Sequence, residues 1–389
     1  MDKVKIRTLA FKEYAAKKPI SITPTGKFIT PSELTEKATL GVGSLFALNE
    51  DLKVKLTVER NKLEPDYKLG IIGVGIVTKD EVIDNVQKGT EFGQQVVNAE
   101  MSYCNELMSA LAESRPASQL PEAPKARVAS IPPDWKWIPK KWWDKWRPYF
   151  RMCALFCENT TDSVTQYAAG YRKTNVHPVF AKRGFCLHIL EGVNDVRAKF
   201  SPLAKSLRVA YISGIGHGSP TVYTGHLGDP ILTKCNYDAA EVKGKVIHLL
   251  SCQTARELGP DLIRKGARAY AGYYENFTFV SDQQGTPVNE MELFWKCDST
   301  FDIMMALGAT VETAHNTTIA TYNAAIALVP NTAAATWLTH DRNCFRSPVI
   351  DAIYGDKTAK IYPFIRLPLT PFIEVEGLRP ELEFELRAR

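Results

Sequence analysis

Two short segments hold the residues best suited to chemistry. LRVAYISGIGHGSP places His217 and Gly218 where an apolar run ends, and KVIHLLSCQTA places Cys252 at the end of the next such run. If the two runs are neighbouring parallel strands, an imidazole and a thiol leave the same edge of one sheet. The imidazole can take the thiol proton or hold the thiolate as an ion pair, and the thiolate is the attacking species in cysteine chemistry. Gly218 has no Cβ, so its backbone N–H can approach a bound carbonyl closely. Together with the N–H of Cys252 it would form an oxyanion hole. A helix expected directly after Cys252 would add the favourable end of its dipole.

Placing both residues on one edge requires a parallel sheet, and the sequence from residue 151 onward alternates accordingly. Apolar strands are expected over 152–159, 184–192, 207–214, 245–252 and 267–274. Helices are expected between them over 162–173 with Asp162 as N-cap, 194–206 with Asn194 as cap, and 254–266. Continuous apolar strands separated by helices predict a sheet covered on both faces, whose sites form at the carboxyl ends of its strands.

This succession resembles the caspase-like cysteine peptidases (clan CD), which include caspases, gingipains, clostripain, legumain, separase and the bacterial CHAT domains. HLLSCQTARELGPDLIRKGARAYAGYY is most similar to the CHAT and gingipain-type pattern. There a short apolar strand ends in Ser-Cys, a Thr follows, and a helix leads to Gly-Ala-Arg and the next strand. The resemblance covers about 150–285. His217 and Cys252 match the family's dyad and Gly218 its oxyanion glycine, with the N–H of Cys252 as second donor. Ser251-Cys252-Gln253-Thr254 departs from the caspase motif, and Tyr273-Tyr274-Glu275 replaces the usual Leu-Trp pair of CHAT domains.

The resemblance implies a caspase-like parallel-sheet α/β/α sandwich and a cysteine endopeptidase acting on a protein substrate, with neither metal nor other cofactor in the chemistry. It also implies a first specificity pocket near the ends of the first and fifth strands, with Asp162, Ser251, Glu275 and Asp282 as candidates. An acid there would favour cleavage after Lys or Arg. Self-processing, and a place in a bacterial defence or regulated-cleavage system, are further implications.

A different class of reading stands beside this one. A Cys on a buried strand is ordinarily core packing, and a chain that keeps the fold without catalysis would serve as a structural or partner-binding protein. Other candidates have less context. His188 and His248 lie mid-strand and are expected in the core, and His226 is the best substitute base. Gly214-Ile215-Gly216-His217-Gly218 lacks the third glycine of G-x-G-x-x-G, and Pro220 opposes an immediate helix start. No G-x-S-x-G elbow occurs. Cys153 and Cys157 have no second pair at zinc spacing.

The rest of the chain suggests a separate, smaller α/β domain over 1–112. Strands are expected in KVKIRTLAF, in LKVKLTVER (52–60) and in YKLGIIGVGIVT (67–78), with a short helix opening at Pro31 and a mostly helical stretch over 79–112. Residues 113–133 are rich in Pro, Ala and Ser and read as a linker, with Lys125 and Arg127 open to a protease of basic specificity. Residues 134–150 carry Trp135, Trp137, Trp142, Trp143 and Trp146. This strap either packs its rings onto the second domain or offers an aromatic-basic surface to a lipid headgroup, a sugar or a partner, and with 1–112 it is a candidate site for a regulatory protein partner. The peptidase-like domain then runs over 151–389, with helices near 287–297 and 298–328 and an extended Pro-rich tail.

At 389 residues the chain is long enough for two domains. Its net charge of +5 is mild and no dense Lys/Arg block occurs, so nucleic acid is not expected as the main partner. Eight scattered cysteines do not form a disulfide framework. The N-terminus lacks the apolar core of a signal peptide, and no uninterrupted apolar run is long enough for a membrane span. A reduced, cytoplasmic protein is expected.

Overall fold

A computed structural model describes residues 11–36, 45–72, 74–112, 151–281, 289–346 and 354–363. The linker, the Trp-rich strap and most of the Pro-rich tail lie outside these residues, as does most of the strand expected in KVKIRTLAF.

The N-terminal part comprises helix α1 (Glu13–Lys17), a two-stranded ribbon of β1 (Ser21–Ile22) and β2 (Phe28–Ile29), then α2 (Pro31–Glu36) and α3 (Glu50–Lys62). It continues as hairpin β3 (Lys68–Ile71) and β4 (Gly75–Thr78), then α4 (Lys79–Lys88) and α5 (Glu91–Ala112). The stretch 52–60, expected as a strand, is helical. Asn49 caps it by accepting from the Leu52 N–H at 2.9 Å, and Glu50 and Asp51 favour its positive end. The stretch 67–78 is a hairpin instead of one strand, and Gly75 at φ 112° begins its return.

The second part builds the expected sheet from β5 (Cys153–Glu158), β6 (Cys186–Glu191), β7 (Val209–Ile215), β10 (Val246–Leu250) and β11 (Ala269–Gly272). Between β7 and β10 lies a small antiparallel pair, β8 (Val222–Thr224) and β9 (Pro230–Thr233). After β11 come β12 (Thr278–Ser281) and, near the end, β13 (Tyr354–Gly355). The large sheet has the order β13-β11-β10-β7-β5-β6, parallel except for β13. Its five parallel strands are thus ordered 2-1-3-4-5, a doubly wound arrangement whose switch point lies between β5 and β7. Helices α6 (Ser163–Asn175), α7 (His177–Arg183), α8 (Arg197–Ala204) and α9 (Leu258–Arg264) connect the strands. Helices α10 (Asn289–Ala306), α11 (Val311–Leu328) and α12 (Ala333–Arg346) follow.

Side chains alternate along the strands between two cores. Ala154, Phe156, Tyr211 and Leu250 enter one, while Leu155, Cys157, Ile212 and Leu249 enter the other. The first core also takes in Ile20, Leu56, Leu69, Val96 and Met101 from the N-terminal part. The expected boundary at residue 112 therefore does not separate two cores. Strand β3 pairs antiparallel with β12, from Ile71 opposite Thr278 to Lys68 opposite Ser281. Arg60, fully buried, bonds Glu100 at 2.7 Å and Asn331 at 2.9 Å, and Arg342 pairs with Glu106 at 2.6 Å. Arg60 and Glu100 are buried because partners from distant segments neutralise and hydrogen-bond them. No helix among the described residues is long and apolar enough to cross a membrane.

Candidate active site

Strand order decides which loops meet. Asp162 follows β5, His217 follows β7 and Cys252 follows β10, and these three strands are consecutive neighbours in the sheet. All three residues therefore leave the same carboxyl edge, beside the switch point.

The loop after β7 is tied down on both sides. The Gly216 N–H donates to the Leu250 carbonyl at 3.3 Å, and the Thr224 N–H donates to the His217 carbonyl at 2.9 Å. His217 is about one-third exposed, and its Nε2 lies 2.6 Å from Asp162 Oδ2. Its Nδ1 is buried and has no hydrogen-bond partner among the described residues. The other carboxylate oxygen of Asp162 accepts from the Val164 and Thr165 N–H groups at 2.9 and 3.0 Å, capping α6 as expected. Burial opposes the Asp162 charge. The bond from His217 and the two capping amides outweigh it and hold the carboxyl below its ordinary value.

The loop after β10 turns sharply. Gln253 adopts φ 59°, a left-handed conformation uncommon for a residue with a side chain. Its N–H donates to the Glu275 carbonyl at 3.1 Å, and that of Ala255 to the Tyr273 carbonyl at 3.1 Å. The helix expected directly behind Cys252 begins only at Leu258, so its dipole does not act on the sulfur at close range.

Gly218 brings the two loops together. A Cβ at this position would overlap Ser251 Oγ and would lie 2.7 Å from the Cys252 carbonyl oxygen and 2.9 Å from Thr254 Cγ2. Only glycine fits this approach. The backbone N–H groups of Gly218 and Cys252 donate to no carbonyl among the described residues. Two unengaged donors on abutting loops are what an oxyanion hole requires.

Imidazole and thiol are adjacent in the layout but are not hydrogen-bonded to each other. Cys252 is buried, and its thiol donates to the Ile72 carbonyl at 2.6 Å. Burial pushes this thiol up to about 12. A backbone bond from Phe277 works against the shift, and the charges of Asp341 and Glu275 add to it. In this arrangement the sulfur is a covered, neutral thiol.

The specificity candidates sit otherwise than expected. Asp162 uses both oxygens, on His217 and on the start of α6, and lines no free acidic pocket. Glu275 pairs with Arg256 at 2.5 Å. The Ser251 hydroxyl is buried beneath Gly218 without a hydrogen-bond partner among the described residues. Asp282 lies outside the described residues. His226, the substitute base, lies 3.2 Å from Thr161 through Nδ1.

Two groups of side chains gather donor atoms of the metal-binding type. Cys153, Cys186 and His188 place theirs within 4.8 Å of one another, with Arg151 and Arg208 close by. Cys153 and Cys186 are direct register partners on neighbouring strands, a proximity that linear spacing does not reveal. His248, Asp298 and Asp302 form the second group, fully buried. Here Arg172 supplies the cation, 3.4 Å from Asp302, so the group is a neutralised charge network. His248 is a core residue, as expected.

Searches of protein-family models, curated proteins and solved structures find no match to this chain.

Proposed function

We propose that this chain is a caspase-like cysteine endopeptidase whose covered state is the one described above. The observation that carries the reading is the meeting of Asp162, His217, Gly218 and Cys252 at the carboxyl ends of three neighbouring strands. In the reaction, His217 Nδ1 takes the proton from Cys252 Sγ, and the sulfur attacks the scissile carbonyl carbon. The oxyanion forms against the N–H groups of Gly218 and Cys252. The imidazolium returns its proton to the leaving amine, and water hydrolyses the resulting thioester. Asp162 acts as a positioning residue. It holds the ring with Nε2 outward and stabilises the imidazolium, as the third member of a catalytic triad does.

The second reading is a non-catalytic scaffold, favoured by the buried thiol and its bond to Ile72. The two are separated by incubating wild type, Cys252→Ala and His217→Ala with denatured casein and a mixed peptide library. Cleavage by wild type alone supports the peptidase. Equal products from all three, or none from any once Cys252 is demonstrably alkylatable, supports the scaffold.

A further inference from the structure

We propose that the β3–β4 hairpin is an intramolecular cover that occupies the edge of β12, where an extended peptide strand would pair, and that Cys252 becomes reactive only when the hairpin leaves this edge. The inference rests on the peptidase reading for what the site then does.

The hairpin and the thiol form one continuous hydrogen-bonded run. Strand β3 pairs with β12 from Lys68–Ser281 to Ile71–Thr278. The Ile72 N–H extends the ladder by donating to the Phe277 carbonyl at 3.2 Å, and the Ile72 carbonyl receives the Cys252 thiol. Strand β12 follows closely on β11, the neighbour of the strand that carries Cys252. The chain lying along β12 is therefore delivered to the sulfur, and in the closed molecule that chain is the protein's own.

On its other side β12 is held by a side chain, since the Thr278 N–H donates to Asp341 at 3.1 Å. In the three-stranded sheet the order is β12-β3-β4, so β12 has no other strand partner among the described residues. Withdrawal of the hairpin bares a row of backbone N–H and C=O groups. Such an edge takes an extended peptide by strand addition, with affinity from the main chain and selectivity from alternate side chains. The substrate this implies is an unstructured or locally unfolded peptide segment presented as a strand.

The seat is also specific. A Cβ on Gly70 would overlap the Phe279 ring, so β3 lies flush on β12 only because residue 70 is glycine. Leu69, Ile71 and Ile72, residues of the hairpin itself, are buried, while Val74 near the turn is 64% exposed. The cover thus reaches the surface at its tip, while its base is held by the β3–β12 pairing and by the core that Leu69, Ile71 and Ile72 share with the main sheet, so opening means releasing that strand from the core.

The test uses the full-length protein and pulse labelling with iodoacetamide, with each cysteine quantified by peptide mass mapping. In wild type at rising sub-denaturing urea, Cys252 is expected to label before Cys157 and Cys297, which report the central sheet and the helical core. In Gly70→Ala, Cys252 is expected to label about tenfold faster or more, with Cys157 and Cys297 unchanged. Labelling of Cys252 only together with Cys157 and Cys297 in wild type would overturn the cover. If Gly70→Ala unfolds and exposes all three, the wild-type series decides. Fast labelling of Cys252 in Gly70→Ala without any peptide cleavage would leave the cover standing and remove the peptidase reading.

Discussion

Asp162 Oδ2 lies 2.6 Å from His217 Nε2, while Asp162 Oδ1 holds the first turn of α6. One carboxylate thereby fixes the imidazole and anchors its own position to a helix. Replacing Asp162 with Asn keeps a capping oxygen but presents an N–H₂ or a neutral oxygen to the ring. On the peptidase reading, kcat is expected to fall by about 10²–10⁴ with little change in KM, measured on any cleaved peptide. An unchanged kcat would reduce Asp162 to a helix cap.

The same carboxyl has a pH consequence. Its folded-state value is held below the ordinary one, so the stability it contributes is present above the unfolded value, near ~3.9, and is lost as pH falls through the folded value. Acid unfolding of Asp162→Asn is therefore expected to be less steep than that of wild type below about pH 4, read by circular dichroism.

Gly218 offers a packing test. Gly218→Ala forces a methyl against Ser251, the Cys252 carbonyl and Thr254. The loops must separate, costing about 1–3 kcal/mol of stability and displacing one oxyanion donor. Activity is expected to drop by at least about 10² while a substrate of unchanged KM still binds. A fully active Gly218→Ala variant would remove the oxyanion assignment.

The buried network beneath the sheet predicts a stability profile. His248 Nδ1 lies 3.0 Å from Asp302, and its Nε2 lies 3.4 Å from Asp298. Tyr211 and Ser213 donate to Asp302, Tyr273 donates to Asp298, and Arg172 stands opposite. Burial disfavours the imidazolium, but Asp302 and Asp298 outweigh it and raise His248 to about 9. A raised histidine contributes stability that is fully present below the unfolded value, about 6.5, and is lost as pH rises through about 9. His248→Leu is expected to cost about 3–5 kcal/mol at pH 6, and that deficit should narrow by pH 10 in urea titrations.

Much of the sheet was legible because its strands are apolar on both faces and stand alone as runs. The His217-Gly218 and Cys252 loops could be placed because parallel strands put their carboxyl ends on one edge. The partners of these residues were not legible. Asp162 meets His217 only because β5 lies next to β7, which depends on strand order. Ile72 meets Cys252, 180 residues away in the chain, beside the pairing of β3 with β12. Helix α3 carries the pattern of a strand, because Leu52, Val54, Leu56 and Val58 alternate as a strand would. Its buried face is instead set by Leu56, Arg60 and Asn61, whose charge and amide are satisfied by Glu100 and by their own helix. No local pattern announces a buried arginine, since its partners come from elsewhere in the fold.

The most direct measurement is the site of covalent capture by a peptide chloromethylketone, using Gly70→Ala to open the cover and mass spectrometry to locate the adduct. The account predicts a single adduct on Cys252, loss of peptide cleavage in proportion to its formation, and strong slowing of capture in Gly70→Ala/His217→Ala. Capture of Cys252 at the same rate with and without His217, or continued cleavage after Cys252 is fully modified, would contradict it.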